Sequence, residues 1–214
     1  MSKIYNDFSG ETRIGNIELF LEAVIDNFLN IEKSRKRYNS LMTISKTIKN
    51  PFTSESVDFK GEEIFSLISN IQKKSIQGIV MLNTFYEALI NEIGCSCLGQ
   101  RYYRDNLDRL NLKSKWEVVL KLTYDKTLNK GTTYFENFSN LIKARNKLIH
   151  YKSSIVSDDL NSLRFEYDEV LKSNVLTIGS LIDELKVIDK EKGVLSFYDI
   201  DEQLKRVVFK DLSE

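Results

Sequence analysis

The 214-residue chain has one proline, Pro51, and only nine glycines. Proline removes a backbone donor and glycine carries the largest backbone entropy cost. A chain poor in both sustains long helices, whereas many short strands joined by tight turns would need more of each. Cysteine is also scarce. Cys95 and Cys97 lie too close together to make a disulfide framework, and they read as buried or spare thiols of a reducing cytosol. Without a second cysteine or histidine pair, the CSC stretch is not a zinc site. No uninterrupted apolar run reaches the roughly 18 residues of a membrane span. The opening MSKIYNDFSGETRIG lacks the basic start and apolar run of a secretory signal, so a cytoplasmic protein is expected.

An excess of one charge is missing as well. Lys+Arg and Asp+Glu both number 31, for a formal net charge of zero. A globally basic nucleic-acid binder is not indicated, and any such contact must come from a local patch. No glycine-rich phosphate loop is present, which argues against ATP hydrolysis. No cluster of acidic ligands suggests a two-metal nuclease. Neither a cofactor nor a metal is expected.

What is present is helical periodicity. Ile14, Ile17, Phe20, Leu21, Val24, Ile25 and Phe28 recur at three- and four-residue steps and predict a helix over 14–48, basic in its second half and stopped by Pro51. PFTSESVDFKG reads as a polar connector. Ile64, Ile68, Ile71, Ser75, Ile79, Leu82, Tyr86, Leu89 and Ile93 form one stripe on a helix over 62–94, which GCSCLGQ breaks with Gly94 and Gly99. One or two shorter helices follow, turning Leu107, Leu110, Leu112, Trp116, Val119 and Leu120 inward. KTLNKGT is a loop. Thr133 and Glu136 then match a capping box that starts a helix running to about 151. A last long helix is expected over about 165–189, with Leu171, Val175, Ile178, Leu181, Ile182 and Leu185 inside. The following VLSFYDIDEQLKRVVFKD is ambiguous between strand and helix. The class is all-α, a bundle of antiparallel helices with a long N-terminal helix. The expected divisions are 1–58, a basic helix and connector packed on the core; 59–190, the core; and 191–214, a tail.

The only histidine, His150, lies in ENFSNLIKARNKLIHYKSS, residues 136–154. At about 100° per residue, Tyr134, Phe138, Leu141, Ile142, Leu148 and Ile149 make an apolar stripe with Arg145 in its middle. Ser139, Lys143, Asn146 and His150 make a separate polar stripe. A guanidinium stays charged, and burying it unpaired is costly. Arg145 therefore needs a carboxylate, for which Glu87 is a candidate, or a solvent-lined groove, or a second subunit. Residues 137–157 hold Lys143, Arg145, Lys147 and Lys152 and no acid. The combination describes an anion-attracting site beside the chain's one imidazole. The bland reading is an ion-paired Arg145 and a polar helix end at His150.

LIKARNKLIHYK resembles the signature of the HEPN superfamily of α-helical domains, many of which are RNases of toxin–antitoxin, abortive-infection and other defence systems. That signature is an arginine, four to six intervening residues and a histidine, with a polar residue, often asparagine, directly after the arginine. Arg145, Asn146 and His150 occupy those positions. IQGIVMLNTFYEALINEI and LNLKSKWEVVLKL also look like the earlier part of such domains, and the resemblance covers about 59–190. It implies a HEPN-like bundle, a homodimer with a composite site at its interface, and RNA as substrate. An antitoxin or other defence partner protein follows from the same resemblance. Some HEPN toxins carry a tyrosine two residues after the histidine, which a partner nucleotidyltransferase modifies. Here that position is Lys152 and the tyrosine is Tyr151, so this route of regulation is not expected.

The expected activity is metal-independent RNA cleavage. His150 would transfer a proton, Arg145 would stabilise phosphorane charge, and Asn146 would orient the imidazole or hold the phosphate. Lys143, Lys147, Tyr151 and Lys152 would bind the strand. One chain offers one histidine, so acid and base roles filled by two histidines require two subunits. Two rivals stand beside this reading: a non-catalytic HEPN-like module binding RNA, a nucleotide or a partner protein, and a helical interaction protein with an accidental match. KSRKRY is either an RNA contact or a solvated face. In RYYRDNLDR, Tyr102 or Tyr103 either stacks on bases or packs in the core.

Overall fold

A computed structural model describes residues 3–6, 12–47, 54–150, 166–197 and 200–210. The fold is all-α apart from a two-stranded ribbon. β1 (Lys3–Asn6) pairs antiparallel with β2 (Thr12–Gly15), Lys3 opposite Gly15 and Asn6 opposite Thr12. The helices are α1 (Ile17–Thr47), α2 (Ser54–Leu98), α3 (Gln100–Asn106), α4 (Leu112–Tyr124), α5 (Thr133–Ile149), α6 (Glu166–Asp189) and α7 (Ile200–Lys210). A short 3-10 helix spans Val194–Phe197.

Several boundaries correct the sequence reading. α1 begins at Ile17, because Ile14 lies in β2. Ser54–Gly61 of the expected connector belongs to α2, while Pro51 lies outside the described residues. The division at 58/59 thus falls within a helix. α2 is 45 residues long, about 68 Å. It passes through Gly94 unbroken and ends before Gly99, whose φ of 84° suits a residue without a Cβ. Gly94 is a packing notch: a Cβ there would run into the Tyr103 ring on α3. The ambiguous tail is helical over Ile200–Lys210, and Ile200 is buried.

α2 is the spine. Ile71, Ile79, Leu82, Phe85, Tyr86, Leu89, Ile90 and Ile93 are buried along it, against Leu21, Val24, Ile25, Phe28 and Ile31 of α1. α1 is thus part of the one core. At the centre, Tyr86 meets Trp116 edge-on at 6.1 Å and Phe138 at 5.2 Å, which locks α2, α4 and α5 together. Leu171, Val175, Ile178, Leu181, Ile182 and Leu185 of α6 close the core, as their spacing implies. Tyr103 is buried, and its hydroxyl donates to Asn91 Oδ1 at 2.5 Å; Tyr102 is exposed. No helix among the described residues is long and apolar enough to cross a membrane.

Candidate active site at the end of α5

α5 starts one residue earlier than a capping box on Thr133 requires. Thr132 is the N-cap and its side chain does not cap; its hydroxyl donates to Asn129 O at 2.7 Å, and Glu136 N donates to Thr132 O. The helix is fixed by burial of Tyr134, Phe135, Phe138, Leu141 and Ala144 and by polar clamps to α6. Asn137 Nδ2 donates to Ser173 O at 3.0 Å and Thr177 Oγ1 at 3.1 Å, and Asn174 Nδ2 returns a bond to Asn137 O at 3.0 Å. Two amides exchanged this way, Asn174 fully buried, set the height of α5 against α6.

At the other end of α5 the apolar stripe loosens. Leu148 is half-buried and Ile149 is 52% exposed. Arg145 is half-buried and forms no ion pair among the described residues; its Nη1 donates to Asn146 Oδ1 at 3.3 Å. Glu87, the carboxylate considered for it, is taken by Lys115 at 2.8 Å. His150 is the C-cap of α5, with φ −99° and ψ 30°, and its backbone N–H donates to Asn146 O at 2.9 Å. Asn146 thus touches both partners: its side chain takes the guanidinium and its carbonyl anchors the histidine. Asn146 and His150 are exposed.

The neighbouring cations are placed unequally. Lys143 is exposed, with Nζ 3.5 Å from Asn140 Oδ1. Lys147 is not free: Glu166, the first residue of α6, holds its ammonium. Tyr151 and Lys152 lie outside the described residues. The basic segment of α1 is partly neutralised too. Arg35 pairs with Asp168 and, at 3.1 Å, with Glu169, and Arg37 pairs with Glu63 at 2.8 Å. The expectation of either an RNA contact or a plain solvated face omitted this third role, pinning α1 to α2 and α6. The acidic first turn of α6 therefore joins the end of α5 to the middle of α1.

Cys95 and Cys97 are half-buried and neither is in a disulfide. The Cys97 thiol donates to Tyr124 Oη at 3.8 Å, and burial pushes its pKa up. Among the described residues, no three His, Cys, Asp or Glu side chains gather as a metal-ligand group. Comparison with family models, curated proteins and solved structures finds no match for this chain.

Proposed function

We propose that this protein is a metal-independent endoribonuclease of HEPN type, a toxin or antiviral-defence effector, whose site is shared by two copies in a homodimer. The observation that carries the proposal is the state of Arg145: half-buried at the loosening end of α5, without a carboxylate among the described residues, and joined to Asn146. An arginine kept for stability pairs with an acid, as Arg35 does. A half-buried guanidinium that is not committed to a carboxylate can match phosphate oxygens bidentately.

The helix pairing supports the HEPN-like, antiparallel reading. Arg37 meets Glu63 while Ser34 meets Asn70, and Lys147 meets Glu166 while Asn137 meets Asn174. These contacts support an antiparallel arrangement of α1 with α2 and of α5 with α6. In this reading a second α5 packs over Ile149, which is 52% exposed one helical turn from Arg145.

In this reading, one subunit's His150 accepts the proton of an RNA 2′-hydroxyl. The resulting 2′-oxygen attacks phosphorus, and the P–O5′ bond breaks. The partner subunit's His150 donates a proton to the departing 5′-oxygen. The products are a 2′,3′-cyclic phosphate and a 5′-hydroxyl, with no net redox change. Arg145 and its counterpart stabilise the extra negative charge on the phosphorane. An antitoxin or other defence protein would act by covering this surface. The rival, a non-catalytic module binding RNA, a nucleotide or a protein, draws on the openness of His150.

End-group analysis tests the chemistry. Cleavage in excess EDTA that leaves 2′,3′-cyclic phosphates supports the proposal, and strict magnesium dependence with 5′-phosphate products sinks it.

A further inference from the structure

An open cavity of about 550 Å³ lies where α2 gives way to α3, and Gly99, Gln100, Arg101, Tyr102, Asp105 and Asn106 are among the residues that line it. Two adjacent tyrosines divide here. Tyr103 fills the notch at Gly94, with its hydroxyl on Asn91, and so fixes α3 against α2. Tyr102 is 48% exposed. Among the described residues no ring contact or side-chain hydrogen bond engages it; only its carbonyl is used, accepting from Asn106 Nδ2 at 2.9 Å. Charge is uneven beside it. Arg101 Nε stands 3.9 Å from Asp105, while Arg104 Nε is nearer, at 3.3 Å from the same carboxylate. The next acid, Asp108, faces Lys115 at 3.6 Å. One carboxylate thus serves two guanidinium groups, and Arg101 is the more loosely held.

We propose that this cavity is a second RNA contact, in which one unpaired base stacks on the Tyr102 ring and Arg101 binds the neighbouring phosphate. The choice of RNA as ligand rests on the nuclease reading of the α5 motif. Single-stranded RNA is bound by stacking splayed bases on aromatic rings and by cations that follow the backbone. A nucleotide carries the complement of both groups, a flat base and an anion one sugar away. The cavity lies within the roughly 300–1,000 Å³ of sites that take small ligands, so it has room for a base and its sugar. Gly99 leaves one side open, since nothing lies within 4 Å of where its Cβ would stand. The amides of Gln100 and Asn106 both donate and accept, so they can meet the edge of any base and impose no single sequence. Arg101 keeps its terminal nitrogens clear of any ion pair among the described residues, which suits a phosphate.

The test uses the full-length chain carrying His150→Ala, so that RNA is not consumed, with fluorescently labelled decauridine and an abasic strand of the same length. Fluorescence anisotropy reads both affinities. Tyr102→Ala should weaken decauridine about fivefold or more and leave the abasic strand's affinity in place, and Tyr102→Phe should bind as the parent does. Arg101→Gln should weaken both strands and flatten the salt dependence by about one counterion. The melting midpoint should stay put in each variant, because neither side chain is buried. No binding of decauridine, an affinity unmoved by Tyr102→Ala, an equal loss on the abasic strand, a loss that Tyr102→Phe shares, or an unaltered salt dependence in Arg101→Gln overturns the proposal. Tyr102-dependent binding without cleavage by the wild-type chain sinks the nuclease reading and leaves this contact standing. Cleavage by the wild-type chain with binding indifferent to Tyr102→Ala does the reverse.

Discussion

Glu166 holds Lys147 with both carboxylate oxygens, at 3.0 and 2.9 Å from Nζ. That hydrogen bond keeps the ammonium above the usual lysine range. The cation closest in sequence to the Arg145–Asn146 pair is therefore neutralised across the α5–α6 contact. RNA must compete with Glu166 for it.

The competition has a measurable consequence. Glu166→Gln should raise RNA affinity at low salt by about two- to fivefold, because an exposed pair is worth at most about 1 kcal/mol. The salt dependence should also steepen by roughly one counterion, and adding Lys147→Ala should cancel both effects. Titration of labelled RNA at several salt concentrations checks this. An affinity unmoved by Glu166→Gln would show that Lys147 takes no part in binding.

Gly94→Ala has a sign that separates two accounts of this glycine. If Gly94 were a helix breaker, alanine would stabilise α2 by about 1 kcal/mol. The Tyr103 ring fills the space instead, with its hydroxyl tied to Asn91. The expected outcome is destabilisation by about 1–3 kcal/mol in urea unfolding. An increase in stability contradicts the notch.

How much of this was legible in the sequence follows from range. The stripes of α2 and α6 were readable because each is a local repeat over several turns, and Leu171 to Leu185 are buried as spaced. The α5 stripe placed Arg145 among apolar residues, and the half-burial agrees. The β1–β2 ribbon was not readable, because four-residue strands give too little alternation. Gly94 misled because its reason, Tyr103, sits on another helix. The Lys147–Glu166 and Arg35–Asp168 pairs join residues 19 and 133 positions apart, and no local pattern announces them.

Lys115 gives a second stability test. Its side chain is 2% exposed, with Nζ 2.8 Å from Glu87, 3.6 Å from Asp108 and 3.4 Å from Asn91 Oδ1, so it ties the α3–α4 connection to α2. Lys115→Ala should cost about 2–3 kcal/mol. Both carboxylates remain about half-exposed, which keeps the cost below the roughly 3–5 kcal/mol of a fully buried pair. A loss under about 0.5 kcal/mol in chemical denaturation would assign the lysine no structural role.

Stability should also fall at high pH. Burial raises the pKa of Tyr86, Tyr103 and Tyr124 well above the ordinary phenol value of about 10, and Tyr124 is raised further by its bond to Asp189. Above that pH the unfolded chain releases phenolic protons that the fold retains, so the unfolded state binds fewer protons and stability drops as pH rises. Thermal melts between pH 8 and 11 should lose midpoint chiefly above about pH 10. A flat profile contradicts this.

Assembly is checked by light scattering at micromolar concentration, where the 24.9 kDa chain should scatter as about twice that mass. Ile149→Glu, which puts charge on the exposed apolar position beside Arg145, should give monomers and abolish cleavage while leaving the melting midpoint nearly unchanged. A monomeric wild-type chain that cuts RNA removes the shared site.

The central claim concerns His150. It is exposed at the C-cap of α5, where replacing a polar side chain usually changes stability by less than about 0.5 kcal/mol. As a proton-transfer residue, its removal costs about 100- to 10,000-fold in rate. Arg145→Ala is the poorer probe, since it alters a half-buried position beside the expected dimer contact. The most direct measurement is the cleavage rate of one defined RNA by wild type and by His150→Ala, with folding and dimerisation verified for both. The account predicts a rate loss of at least about 100-fold at an unchanged melting midpoint. A folded, dimeric His150→Ala that cuts at the wild-type rate contradicts it.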